Sequence, residues 1–281
     1  MVWTPIFRKS PIRLQRALNP TRAYLFGLRR AFAAVRIPFD CCLCKEPDES
    51  GGLCAVCSKL LYLNDNFCIR CAYPIVTGDS NSDLARNQGI KPESEGGCEN
   101  CRQSDIPWRR AIVPLRYSFP LDLLVIRFKY QEDMVVGRVL GELLGQQIAR
   151  FVDQQVKPPV AMVPIPLEAA RMRSRGFNQS LELAHAASAA CSLPVWGNVL
   201  RRERFNDGGA TDWQSIRSRN LRMRTNADGF FCTVALSEPL LLIDDVMTTG
   251  STLKGAAEAL LRAGSPSVDV AAIGRTVDHF Q

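Results

Sequence analysis

The sequence predicts a two-part chain, a small cysteine-rich segment clipped by metal followed by an α/β domain with a doubly wound parallel sheet. Three observations lead there. Four CxxC pairs crowd residues 40 to 101; apolar strand-like runs then alternate with helical periodicity from residue 105 onward; and the run "LLLI" at 240–243 ends in "DDVMTTGST", two adjacent acids followed by hydroxyls around a glycine. Runs that are apolar at every position fit strands buried on both faces, and strand–helix alternation fits a parallel sheet covered by helices. A chain of 281 residues is long enough for two units with a sizeable core.

Composition narrows the class. Apolar residues make up 46% and charged residues 22%, the balance of a globular chain and not of a disordered one. No apolar run reaches the ~18 residues of a membrane-spanning helix, and no compact apolar stretch with a small-residue cleavage site marks secretion. The cytoplasm is the expected compartment. The net charge of +7 is local: eight basic residues from Arg8 to Arg36 precede the first acid, Asp40, leaving 27 basic against 28 acidic residues in the remainder. Residues 1–37 are therefore a basic extension. Such a segment suits nucleic acid, an anionic membrane surface or an organellar presequence, and equally a solvated extension with no partner.

Residues 38–104 form the cysteine-rich unit. Cys41/Cys44, Cys54/Cys57, Cys68/Cys71 and Cys98/Cys101 are four CxxC pairs, separated by nine, ten and 26 residues. Each CxxC turns two thiolates toward one point, and two such knuckles complete the tetrahedral shell of a structural zinc. Eight ligands imply two zinc ions. Pairing adjacent knuckles closes the shortest loops and is preferred, with interleaved pairing left open. Between Cys71 and Cys98 the chain is polar and rich in Gly, Ser and Asn, so metal is expected to supply most of the folding free energy here. A redox reading fits poorly, because it needs a thioredoxin-like context and usually one motif. Cys42, Cys191 and Cys232 fall outside the pattern and read as small apolar residues.

In the α/β unit, 105–281, residues 111–117 read as a strand and "LDLLVIRFKYQEDMVVGRVLGELLGQQIARFV" as two helices interrupted near "YQED". "VAMVPIPL" (160–167) is a strand; 177–190 is a helix with Asn178 as candidate cap. "LPVWGNVLRR" (193–202) and "PLLLIDDV" read as strands, "STLKGAAEALLRAG" as a helix stopped by Gly264, and "SVDVAAIGRTV" as a last strand. His185 and His279 read as incidental.

In open parallel sheets ligands sit beyond the carboxyl ends of the strands. Asp244 and Asp245 emerge at such an end, and Thr248, Thr249, Gly250, Ser251 and Thr252 turn into the next helix. Backbone amides at a helix start, with hydroxyls and a glycine permitting close approach, cradle a phosphate. Two neighbouring carboxylates repel unless a cation or hydroxyl donors stand between them, and a phosphorylated ribose with Mg²⁺ supplies both. The plainer alternative is a strand-to-helix turn in which one aspartate caps the helix. No GxxxxGK[ST] loop occurs, which argues against ATP hydrolysis.

"LLLIDDVMTTGST" resembles the diphosphoribosyl-binding signature of type I phosphoribosyltransferases, and "MVPIPLEAARMRSRGFNQSLELA" (162–184) resembles the "VPVPL…RGFNQ…LA" block of the ComF family. That family joins a cysteine-rich zinc ribbon to a phosphoribosyltransferase-like domain, in the order found here. The resemblance implies that Asp244 and Asp245 bind the ribose hydroxyls of phosphoribosyl pyrophosphate (PRPP), that Thr248 to Thr252 bind its 5-phosphate, and that Pro164, Ile165, Pro166 and Leu167 form the pyrophosphate loop. Arg173, Arg175, Gly176, Asn178 and Gln179 match an arginine-rich loop expected to close over the pyrophosphate. Thr211, Gln214, Arg222, Asn226, Gly229 and Phe231 resemble a further family block, within which Arg217 stands where the family usually has Leu.

Family members are associated with DNA uptake in natural transformation, which implies single-stranded DNA, a helicase and the uptake machinery as partners. Phosphoribosyl transfer needs the ribose held, Mg²⁺-pyrophosphate bound as leaving group and water excluded, with no covalent nucleophile. Permanently charged arginines suit the leaving group. Three readings follow: a ComF-like DNA-handling protein that binds PRPP, which is favoured; an active transferase on an unidentified nucleobase; and a PRPP sensor without catalysis. The ribbon, preceding the first core strand, is expected to stand where transferases carry the hood over the acceptor.

Overall fold

The computed structural model describes residues 39–48, 52–75, 97–202 and 229–277. The basic extension, most of the polar connection after Cys71, most of the 211–231 block and His279 lie outside the described residues. Four parallel strands form the centre, in the order β3 (Ala111–Ile112), β10 (Val268–Ala271), β8 (Leu240–Ile243) and β5 (Ala161–Pro164). Leu241 and Ile243 enter one apolar layer while Leu240 and Leu242 enter the other, all fully buried. This two-sided burial is why the run carries no polar alternation.

Three of these strands resume after a two-residue break as a second parallel sheet, in the order β4 (Leu115–Arg116), β11 (Gly274–Arg275) and β9 (Val246–Met247). The strand expected over 111–117 is thus two short strands interrupted at Val113–Pro114, where proline has no amide to give the ladder. Asp244 and Asp245 occupy the equivalent break between β8 and β9. They lie inside an interrupted strand, because the Asp244 amide still bonds to the Ala271 carbonyl and the Asp245 carbonyl still accepts from Ile273.

One face is covered by α3 (Leu121–Tyr130), α4 (Met134–Asp153) and α6 (Gln179–Cys191); α7 (Ser251–Arg262) lies on the other. The α3–α4 break falls at the expected "YQED", where the Asp133 side chain accepts from the Val136 amide and caps α4. α4 and α6 touch backbone to backbone: a Cβ on Gly141 would lie 2.9 Å from the Leu183 carbonyl oxygen and one on Gly145 2.5 Å from that of Ala187.

Of the strand expected over 193–202, only β6 (Leu200–Arg202) forms, and it pairs antiparallel with β7 (Phe230–Cys232). Val195 makes an isolated parallel bridge to Met162, after which Gly197 and Asn198 turn the chain away. The arginine-rich stretch expected as a loop is instead the helix α5 (Ala169–Arg175), ended by Gly176 at φ 75°. Ala, Arg and Met are good helix formers, and a run of them closes a turn before the glycine stops it.

The cysteine-rich unit begins with the hairpin β1 (Phe39–Asp40) and β2 (Pro47–Asp48) and includes α1 (Ala55–Ser58) and α2 (Glu99–Gln103). Residues 62–69 strap the exposed edge of the sheet. The Arg116 amide donates to the Tyr62 carbonyl, Asn64 to Pro114 and Ala111 to Ile69. No helix among the described residues is long and apolar enough to cross a membrane.

Candidate functional site

The acid pair is held from three elements. The Ser180 hydroxyl, in the first turn of α6, donates to Asp244 Oδ1 at 3.1 Å, and the Asp245 amide donates to the same oxygen at 2.9 Å. Lys129, near the end of α3, places Nζ 2.8 Å from Asp245 Oδ1. Burial pushes the Asp244 carboxyl up to about 7, and the neighbouring Asp245 charge adds to the rise against the hydrogen bonds and Lys129. Asp244 is therefore poised to give up its proton to a cation or hydroxyl ligand near neutral pH.

Ser180 is in place because Asn178 fixes the start of α6. Its Oδ1 accepts from the Ser180 and Leu181 amides, and its Nδ2 donates to the Ile165 carbonyl at 3.0 Å. That bond ties α6 to the end of β5, beside the acids. It also alters the reading of residues 164–167: the Ile165 amide bonds to the Ile243 carbonyl, its own carbonyl is taken by Asn178, and Pro164 and Pro166 have no amide. Of the four, Leu167 alone has an amide available to an anion.

Arg175 Nη1 donates to Gln179 Oε1 at 3.1 Å, and its guanidinium lies 5.2 Å from the Tyr130 ring centroid. Gln179 is almost wholly buried and its Nε2 has no partner. A cavity of about 480 Å³ opens here, lined by Lys129, Tyr130, Glu132, Arg171, Ser174 and Arg175. Arg173 is exposed on α5 and does not line it. The structure therefore brings Arg175, Gln179, Asp244 and Asp245 into one neighbourhood, leaves Arg173 outside, and adds Lys129 and Ser180, which sequence reasoning missed. Nothing local in "FKY" or "NQS" announces a partner 116 or 64 residues away.

The loop 248–252 runs from β9 into α7. Thr248, Thr249 and Ser251 are exposed and Thr252 is half-buried, while buried Gly250 caps the helix at φ 79°, a backbone that glycine adopts without strain. Ser251 and Thr252 are already the first two residues of α7. The Thr249 hydroxyl lies 3.1 Å from that of Ser251 and accepts from the Ser251 amide at 3.3 Å. Hydroxyls and amides thus converge at the start of a twelve-residue helix, an arrangement suited to an anion. Facing the loop across a cavity of about 460 Å³ are Cys71, Tyr73 and Cys101 of the ribbon. The ribbon, expected in the hood's place, therefore borders the cleft at the loop end.

The cysteines sort into Cys41, Cys44, Cys54, Cys57 and Cys68, Cys71, Cys98, Cys101, the adjacent pairing, with all sulfurs of a group within 4.8 Å of one another. Sulfur–sulfur separations of 3.8 Å for Cys44–Cys54, 3.7 Å for Cys68–Cys101 and 3.8 Å for Cys71–Cys98 fit the chemistry. A tetrahedron of thiolates ~2.3 Å from zinc has edges of about 3.8 Å. Amides of Leu43 and Cys54 point at Cys41 Sγ, and those of Arg70 and Cys98 at Cys68 Sγ. Against desolvation, these bonds bring the Cys41 thiol down to about 6; Cys68, bonded first by the Cys71 side chain, falls to about 4. Each tetrad could therefore hold a zinc ion. Cys42, Cys191 and Cys232 are buried in the apolar layers instead, as their spacing suggested.

Fold and site together define a parallel α/β protein with an acidic pair at the break of one strand and a hydroxyl-rich loop at that strand's end, fronted by a ribbon that carries two four-cysteine clusters. No family model matches the chain. DNA utilization protein YhgH of Salmonella typhimurium is 30% identical over 247 residues, 86% of this chain and 99% of its own. Competence protein F of Haemophilus influenzae is 30% identical over 183 residues, 63% of this chain and 78% of its own. The chain belongs to the ComF family. Among solved structures, a glutamine PRPP amidotransferase from B. subtilis overlaps 49% of this chain and 26% of its own at 16% identity and a TM-score of 0.32, too loose an overlap to carry inference.

Proposed function

We propose that this protein binds PRPP with Mg²⁺ at the Asp244–Asp245 pair and the 248–252 loop, through a phosphoribosyltransferase-like unit at 105–281, and that it handles single-stranded DNA during DNA uptake. The observation that carries the first half is the succession, along one interrupted strand, of two adjacent carboxylates at the β8–β9 break and exposed hydroxyls at the helix start that follows β9. Two relatives named for DNA utilization and competence support the second half. In this reading the carboxylates accept the ribose hydroxyls, the loop amides hold the 5-phosphate, and Arg175 with the Leu167 amide faces the pyrophosphate. Mg²⁺, when bound, neutralises pyrophosphate charge. The two tetrads at 38–104 carry structural zinc, and the basic segment 1–37 adds charge for a polyanion.

Calorimetry with PRPP and Mg²⁺ tests the site. Binding to the wild type that is abolished in Asp244→Ala/Asp245→Ala supports it, and unchanged affinity in the double variant refutes it. Single-stranded DNA binding over a salt series tests the second half, since phosphate contacts weaken steeply with salt. A transferase reading is favoured by one feature, the cavity of about 480 Å³ beside the acids, which has room beyond a ribose phosphate. It demands pyrophosphate release from PRPP when the right nucleobase is supplied.

A further inference from the structure

Arg275, on β11, is almost wholly buried and reaches two sites at once. Its Nη1 donates to the carbonyls of Met247 at 3.0 Å and Thr276 at 3.0 Å, and also to that of Thr248. Its Nε donates at 3.0 Å to the carbonyl of Cys71, a member of the second tetrad. The guanidinium also lies 5.5 Å from the Tyr73 ring centroid. One planar, rigid fork therefore spans the backbone at the mouth of the loop and the backbone of a metal-ligating residue, a span that a lysine's point charge cannot reproduce. The cavity between them is walled by Cys71 and Cys101 on one side and by Thr248 and Ser251 on the other.

The first tetrad is anchored elsewhere. Next to its ligand Cys41, the Cys42 carbonyl accepts from Arg127 of α3, and Gly52 packs on Val139 of α4. Both anchors lie on helices of the face opposite α7, the helix that the loop starts.

We propose that Arg275 is a positioning residue that couples the two sites, so that a phosphate ligand on residues 248–252 strengthens metal retention at the second tetrad and leaves the first unchanged. The inference rests on the PRPP reading of that loop. A phosphate gripping the loop amides fixes Met247 and Thr248, whose carbonyls fix Arg275, which in turn fixes the Cys71 backbone. Less freedom remains for that thiolate to swing off its metal. Coupling of this kind is reciprocal: metal in the second tetrad raises the affinity for the phosphate ligand by the same factor.

The test uses the full chain loaded with two zinc equivalents, a metallochromic chelator, and PRPP with Mg²⁺, with calorimetry of PRPP binding in parallel. The expected result is that PRPP slows release of one zinc equivalent by about fivefold or more and leaves the other unchanged. Arg275→Lys should remove that difference, and Asp244→Ala/Asp245→Ala should show no slowing. Binding heat with both release rates unchanged, or both slowed alike, overturns the coupling while leaving the PRPP reading intact. Slowing in the double variant overturns it as well, since PRPP is then acting on free zinc. Selective slowing that persists in Arg275→Lys removes Arg275 from the role. No binding heat in the wild type overturns the PRPP reading and the coupling together. The wild-type arm stands even where Arg275→Lys fails to fold.

Discussion

Asp244 carries a pH signature that can be read without a ligand. Its carboxyl titrates at about 7 in the folded protein, against ~3.9 in an unfolded chain. Between those values the folded state binds more protons than the unfolded one, so this residue lowers stability as pH rises through the window. Asp244→Asn removes the penalty and keeps a polar partner for Ser180. Its melting temperature should match the wild type near pH 4 and exceed it at pH 8, by a gain on the order of 1–3 kcal/mol. Thermal scans across that range check this; a difference that does not vary with pH refutes it. Lys129 acts in the opposite sense. Its ammonium and Asp245 are 18% and 15% exposed, so Lys129→Gln strands a largely buried carboxylate beside another and should destabilise by ~1–3 kcal/mol at pH 8. Adding Asp244→Asn should recover part of that loss, because residues sharing one network are not additive. Full additivity in the double variant would argue that the two acids do not feel one another.

At the level of elements, α6 depends on Asn178 twice, through its cap and through the bond to Ile165. Asn178→Ala should cost about 2 kcal/mol, and Asn178→Asp, which keeps the cap but loses the donor to Ile165, should fall between the two in denaturant midpoints. The helix α4 offers a contrasting case. Alanine normally gains up to ~1 kcal/mol over glycine inside a helix, yet at Gly145 the new Cβ would meet backbone that cannot move aside. Gly145→Ala should therefore destabilise by ~1–3 kcal/mol, and Gly137→Ala by a comparable amount, because there the obstacle is the ring of fully buried Phe128, which has no free end to swing aside. What the sequence made legible follows the same division. Caps, breaks and turns are local, so Asn178, the "YQED" interruption, the CxxC knuckles and the β8 run could be read directly. Lys129, Ser180 and Arg275 act through partners distant in sequence, and no neighbouring residue marks them. The shortness of β6 and the helical state of α5 also have local causes, the Gly197–Asn198 turn and the helix-forming run before Gly176, which the strand and loop expectations passed over. The Gly137–Gly141–Gly145 spacing, glycine on successive turns of one helix face at a cost to the helix, is a local sign of close packing that the sequence reading passed over.

Across the whole molecule, the ribbons and the sheet differ in what folds them. The sheet is enclosed by two apolar layers, and the four longest helices among the described residues lie outside the cysteine-rich unit. Each tetrad could hold a zinc ion, and in the proposed reading that metal closes the unit. Stripping zinc with a strong chelator should therefore leave most of the helical signal near 222 nm in place while the melting temperature falls. The ribbon is also a cover: residues 62–69 satisfy amides and carbonyls along β3 and β4, the exposed edge of the sheet. Once the strap loosens, that edge presents unpaired hydrogen-bonding groups, which template association between copies. Metal loss is thus expected to raise light scattering with concentration before the helices melt, and restoring zinc early should reverse it. Circular dichroism and scattering followed together during chelation distinguish the outcomes. If the helical signal collapses in the same step as zinc release, the sheet does not stand on its own core, and the metal sites hold up the whole chain.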